Sequence, residues 1–439
     1  MTARPEGDFD DVIAFAWGGP AGSVADAARL LLLDSLGCMI AGLGHATPRR
    51  FADALAITMP GTVYLPGCAA GLSEAGAAAV LAAAMCWDEA NEGLARAHGR
   101  PALAVAPLCI AALAAGRVAP GAAHAAFALG YEIAGRAGEI WRIRPGMHVD
   151  GSWHTLGAAA AAARLAGGAA AEVARAVRLT ACQIPFALYA PIAAGMDGRN
   201  SYPAHAVLLG AMAAAAARAG MDAPADGLAE ARRIALLHDA PATRAPAGEW
   251  LIEQAYIKPF AGVRHAHYAA AAVLELRAAV ASRLGDVTAL RLGTYAEALR
   301  YAGNRAPARA IQAQFSLSWA VAAALMQGDL GPSAYTDTEL ADPALRRLEG
   351  LVELTEDTAL TAAEKRGARL IVTLANGESH QASVGAIAGD PGHALDEAAV
   401  MAKCQRFAGP VIGEAEMARL AALILAEDGA VPPRFFGAV

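Results

Sequence analysis

Apolar residues recur at intervals of three and four through the first half of the chain, a spacing that predicts helices. The spans are Ala25–Ala41, Ser73–Trp87, Pro101–Ala115, Gly121–Trp141, Leu156–Gly167, Ala170–Pro185 and Ala204–Gly220. No alternating, strand-like segment stands out before residue 220, and no internal repeat is present. Met221–Trp250 is more polar, carries Pro224, Pro241 and Pro246, and reads as a connection with one short helix, Leu228–His238. The period then changes. Val287–Tyr295 alternates and predicts a strand, and Gln312–Met326 predicts a helix. A helix opening at Asp342-Pro343 leads to a short strand, Leu351–Leu354. Arg369–Leu374 and Ser379–Val384 alternate on either side of Asn376-Gly377, which predicts a hairpin. Asp390-Pro391-Gly392 reads as a turn, and helix returns over Leu395–Phe407 and Glu414–Ala426. The expected fold is mainly α. A large all-helical domain spans 1–266, a smaller α+β lid domain spans 267–394, and 395–439 form C-terminal helices returning to the helical domain.

Composition sharpens this picture. Alanine supplies more than a quarter of the 439 residues, and small side chains let helices approach closely. The mean hydropathy of +0.35 reflects that alanine, not a membrane span. The long uncharged run Leu179–Met196 holds Gln183, Pro185 and Pro191, whereas a spanning helix needs about 20 strongly apolar residues. The acidic start, Met1–Asp11, has no apolar signal core, so a cytoplasmic protein is expected. The six cysteines form no C-x-x-C pair and no zinc spacing, and read as reduced thiols. A net charge of −7 with a pI near 5.9 argues against nucleic acid as a partner. Only Lys258, Lys365 and Lys403 are lysine, and none precedes Ser or Thr, so no P-loop exists.

No standard cofactor or metal signature is found. Gly42-Leu43-Gly44-His45-Ala46-Thr47 starts like a dinucleotide loop but has Thr47 where the third glycine belongs. Four polar, glycine-punctuated segments remain. The first runs from Trp87-Asp88-Glu89-Ala90-Asn91-Glu92 to Arg96-Ala97-His98-Gly99-Arg100-Pro101 and offers Asp88 and His98. Glu92 and Arg96 stand four apart, as in a helical ion pair. The second, Met147 to Gly157, offers His148 and His154 as equal candidates. The third is Gly198-Arg199-Asn200-Ser201-Tyr202-Pro203-Ala204-His205. The fourth is Tyr256-Ile257-Lys258-Pro259-Phe260 with Arg264-His265-Ala266-His267. Arginine and lysine bind carboxylates, and histidine moves protons near neutral pH. The set suits proton chemistry on a small carboxylate substrate.

Several motifs resemble the MmgE/PrpD family over nearly the whole chain. Leu32-Leu33-Asp34-Ser35-Leu36-Gly37-Cys38 with Ala41-Gly42 resembles its first helix. His148 to Gly157 resembles its His-Pro-Thr-Gly-Thr segment. Ile257-Lys258-Pro259-Phe260 with Arg264-His265-Ala266-His267 resembles its Lys-Pro-Tyr and His-x-His segment. Gln312 to Leu317, Leu374-Ala375-Asn376-Gly377, Gly389 to Gly392 and Lys403 resemble its later motifs. Asp88 and His98 keep the spacing of the family's Asp-Phe-Asp-Asp-Thr and His-Pro segment, although the residues between differ. The lysine expected before the Ala204-His205 helix is missing, with Arg199 or its neighbours as substitutes.

The resemblance implies a cofactor-independent homodimer without metal. Its site would lie between the helical domain and the lid and would act on small polycarboxylates. The implied catalytic residues are His98, His148, Asp88 and Lys258. Substrate binding would fall to Arg100, His154, Arg199, Tyr202, Arg264 and His265. The implied chemistry is that of a lyase, a dehydratase of the 2-methylcitrate type or a decarboxylase. The alternatives are an epimerase of the iminodisuccinate type and a non-catalytic ligand-binding protein.

Overall fold

The alanine- and glycine-rich periodic segments form helices that touch through their backbones. The computed structural model describes residues 8–427, 429–432 and 434–437, so Met1–Gly7 of the acidic start lie outside the described residues. The helical body contains Ser23–Leu43, Glu74–Trp87, Ala102–Ala114, Pro120–Ile140, His154–Leu165, Ala170–Ala181 and Tyr202–Arg218. A Cβ added to Gly157 would lie 2.5 Å from the Gly130 carbonyl oxygen and 2.6 Å from the Ala134 Cβ, so two helices meet there with no room for a methyl group. Gly157→Ala is therefore expected to lower stability by about 1–3 kcal/mol through overpacking, despite alanine's better helix propensity. Equal or higher stability in a denaturant titration would count against this close packing.

The second part of the chain begins with the helix Arg264–Val280. It packs on a four-stranded sheet of order Val352–Glu356, Val287–Thr294, Ala368–Leu374, Ser379–Val384. The first pair is parallel and the other two are antiparallel. The hairpin forms where Asn376-Gly377 predicts it, with Gly377 at φ +85°. Two helices, Glu397–Ile412 and Glu414–Leu425, then return to the body. Asp396 caps the first by accepting from the Ala399 amide at 2.8 Å. Lys403 on that helix pairs with Asp34 of Ser23–Leu43, and both are buried. The fold is thus mainly α with a small α+β part.

The structure corrects several expectations in detail. Two short strands, Pro60–Val63 and Gly93–Leu94, lie in the stretch read as strand-free. The Gly42–Thr47 segment is no cofactor loop: Gly42-Leu43 end the helix Ser23–Leu43, and Ala46-Thr47 open a further helix, Ala46–Ala56. Ala170–Pro185 ends as helix at Ala181. Gln312–Met326 is broken at Phe315-Ser316, where the Ser316 hydroxyl accepts from the Trp319 amide at 3.1 Å and starts a new helix. No single helix among the described residues is long and apolar enough to cross a membrane.

Candidate active site

The helix Glu74–Trp87 ends at Asp88, and the next residue, Glu89, takes a left-handed backbone conformation at φ +53°. Two residues past Glu92 complete the strand Gly93–Leu94, which pairs antiparallel with Ala255–Tyr256. Gly93 is required there, because a Cβ would meet the Tyr256 hydroxyl at 2.2 Å. This pairing carries Lys258 up to Glu89. The Lys258 Nζ donates to the Glu89 carbonyl at 2.6 Å and lies 3.3 Å from its Oε2.

Three further segments bring charge to the same place. Arg100, just before the helix Ala102–Ala114, sits 3.1 Å from the Glu89 carboxylate and donates to the Asn91 side-chain oxygen at 2.8 Å. It also pairs with Asp150 at 2.5 Å. Arg199, from the turn before Tyr202–Arg218, contacts Glu89 and lies 3.2 Å from Asp150. Its guanidinium donates to the Cys86 sulfur at 2.7 Å. All six of Cys86, Glu89, Arg100, Asp150, Arg199 and Lys258 are buried.

Burial sets the protonation states. It would raise the Glu89 carboxyl, but Arg100, Arg199 and Lys258 hold it down at about 2. Burial likewise opposes ionisation of Asp150, and Arg100, His148 and Arg199 hold that group well below the usual carboxylate range. The Lys258 amine is pushed down to about 8 by burial, with Glu89 partly opposing. The Cys86 thiol is raised by burial and stays protonated at neutral pH. Sulfur and carboxylate oxygens of Cys86, Glu89 and Asp150 lie within 4.8 Å of one another, a donor set that could hold a metal ion. Arg100 and Arg199 already supply the positive charge that such an ion would bring.

Around the ionic cluster stands a layer of rings. The Asp150 amide donates to His148 Nδ1 at 3.0 Å, so the neutral ring carries its proton on Nε2. Burial pushes His148 down to about 4. It stacks on Tyr189, with centroids 6.0 Å apart, and meets Tyr202 edge-on. His265 Nδ1 is 2.7 Å from the Tyr295 hydroxyl, and its ring stacks on Tyr301. Burial, then Arg366 and Lys258, push it down to about 3. The Arg264 guanidinium lies over Tyr256 at 4.6 Å and contacts Asp390. Beside Tyr202 an apolar groove of about 600 Å³ opens, lined by Phe186, Leu188, Pro191, Met196 and His205.

The structure thus brings together Arg100, Arg199, Lys258 and His148, with Tyr202 at the edge. Arg264 and His265 lie in the adjoining ring layer, where the Lys258 charge acts on both His265 and its neighbour His267. The remaining candidates are Asp88, His98 and His154, of which His154 borders the cluster, within the fields of Asp150, Arg100 and His148. Asp88 is not beside His98 or His148: its carboxylate bonds His45 at 2.8 Å. His98 is exposed at the end of a turn, at φ +50°, outside the cluster. His154 is fully buried and stacked on Trp153 at 3.8 Å. The Glu92–Arg96 pair does not form. Glu92 accepts from Asn91 at 2.7 Å and from the Ala102 amide at 2.8 Å, while Arg96 pairs with Glu139 and Glu249. Burial pushes Glu92 up to about 7.

Sequence reasoning missed Cys86, Glu89 and Asp150 as members of the cluster. One signal was available: buried cations need buried anions, and both acids lie inside polar segments already singled out. Two family models match the chain. The MmgE/PrpD N-terminal domain matches residues 15–238 and the MmgE/PrpD C-terminal domain matches residues 260–427. No curated protein matches it.

Proposed function

The chain belongs to the MmgE/PrpD family, whose members are generally enzymes of dehydratase or decarboxylase type, and from that premise we propose a cofactor-independent lyase acting on a small polycarboxylate. The common feature is transfer of a proton at the carbon next to a carboxylate, removal in a dehydratase. The observation that carries this reading is Lys258, a buried amine titrating at about 8 beside the Arg100, Arg199 and Glu89 cluster. A lysine so placed is partly neutral near physiological pH and can accept a proton.

In this reading Lys258 Nζ takes the α-proton, and the charge spreads onto the substrate carboxylate as an enolate. Arg264, on the rings of Tyr256 and Tyr268, binds that carboxylate and stabilises the charge as it develops. His148, neutral with its proton on Nε2, donates a hydrogen bond to the leaving oxygen or to the enolate. The neutral His265 is held in orientation by Tyr295. Dehydration and epimerisation share this removal; decarboxylation instead releases CO2 and uses the reverse transfer, a proton delivered from the Lys258 ammonium to the carbanion carbon.

Incubation in D2O with 2-methylcitrate, cis-aconitate, iminodisuccinate and smaller hydroxy-dicarboxylates, monitored by proton NMR, tests the reading. The expected result is loss of the α-proton signal with formation of an alkene. Itaconate would mark decarboxylation, and deuterium in recovered substrate without alkene would mark the isomerase alternative. Absence of exchange in every candidate would sink the proposal.

A further inference from the structure

Three cations in the buried cluster converge on a carboxylate that the chain itself supplies. Glu89 meets Arg100 at 3.1 Å, Arg199 in direct contact and Lys258 at 3.3 Å. Its main-chain carbonyl also accepts from Lys258 at 2.6 Å. Asp150 takes the remaining faces of Arg100 and Arg199. Three positive groups therefore face two negative ones, and one positive charge is left over. Without Glu89 the cluster would carry two, in a buried place where charge demands a partner.

The backbone reinforces this picture. Glu89 holds φ +53°, a conformation that costs a residue with a side chain and is sustained where the surroundings dictate it. The segment is strained at the residue that fills the cation cluster, and its carboxylate has a site with the geometry and charge of a carboxylate-binding site.

We propose that Glu89 is a built-in stand-in for one substrate carboxylate, a specificity-determining residue that restricts this chain to dicarboxylates and excludes tricarboxylates. The substrate class rests on the proposed function above; the occupancy of the seat by Glu89 does not. One carboxylate of the substrate would lie against Arg264, whose present partner is Asp390, and the other would face the positive charge that Lys258 gains on accepting the proton. A third would find its cations taken.

The test is chemical rescue. Glycine adopts φ +53° freely, so Glu89→Gly removes the carboxylate without opposing the backbone. In low-salt, chloride-free buffer the variant is expected to unfold several degrees below the native chain. Acetate is expected to restore that loss saturably, since a ligand that binds only the folded state raises its melting temperature, and to leave the native chain unmoved. Equal responses of the two proteins to acetate would overturn the proposal. If the variant does not fold, native chain is titrated calorimetrically with glutarate and tricarballylate. A tricarballylate Kd no tighter than that for glutarate supports the proposal, and one tenfold tighter overturns it. Acetate rescue needs no turnover, so it can succeed where deuterium exchange fails, and the reverse.

Discussion

Lowering the pH from 7 to 5 is expected to remove several kcal/mol of folding stability. His148, His154 and His265 are held neutral by burial, pushed down to about 4, 3 and 3. His267 is pushed well below its ordinary value of 6.5, again by burial. In the unfolded chain each would take up a proton near pH 6.5. Their folded values lie below the unfolded one, so the unfolded state binds more protons and stability rises with pH. It is lost as pH falls from about 6.5 toward 4. Each histidine contributes roughly 1.8 kcal/mol between pH 7 and 5, on the order of 7 kcal/mol together. Buried acids act in the opposite sense. Glu92, raised to about 7, is stabilising below about 4.5 and loses that contribution as pH rises through 7, which returns about 2 kcal/mol on acidification. Asp34 and Glu132, also raised by burial, act in the same direction as Glu92. The balance is a large share of a typical stability of about 5–15 kcal/mol. Denaturant midpoints measured at both pH values would show it, and an unchanged or higher midpoint at pH 5 would contradict the neutral, buried state of these rings.

Lys258→Met is expected to lower kcat by about a thousandfold, the usual worth of a positioned proton carrier. Methionine keeps a long apolar stem in the buried site, and Glu89 retains Arg100 and Arg199 as partners, so the fold should survive. The pH profile gives an independent readout. A base must be unprotonated, so the native rate is expected to rise with pH and level off above about 8. That rising limb should vanish in the variant. A variant with full activity, or with the same limb, would remove Lys258 from the chemistry.

Much of the fold was legible in the sequence because long helices repeat their apolar period many times. The hairpin around Asn376-Gly377 was equally plain. Strands Gly93–Leu94 and Ala255–Tyr256 were not, since two residues cannot display an alternation. The helix Ala46–Ala56 was masked by glycines and Pro48 at its start. At the site, the polar segments stood out against an alanine background, and Lys258 stood out by the scarcity of lysine. Pairings could not be read. Asp88 finds His45, 43 positions away in the chain, and nothing local distinguishes the exposed His98 from the half-buried His148. The acids Glu89 and Asp150 did not stand out, because their burial is decided by helices that meet only in three dimensions.

The contact of Gly130 with Gly157 has a consequence for how the protein comes apart. Alanine and glycine lose no side-chain rotamer freedom on folding, so at such crossings order is set by the main chain. At such glycine contacts the helices cannot loosen without losing main-chain packing. Its near-ultraviolet and far-ultraviolet circular dichroism should be lost together on heating, with no compact, dye-binding intermediate between them.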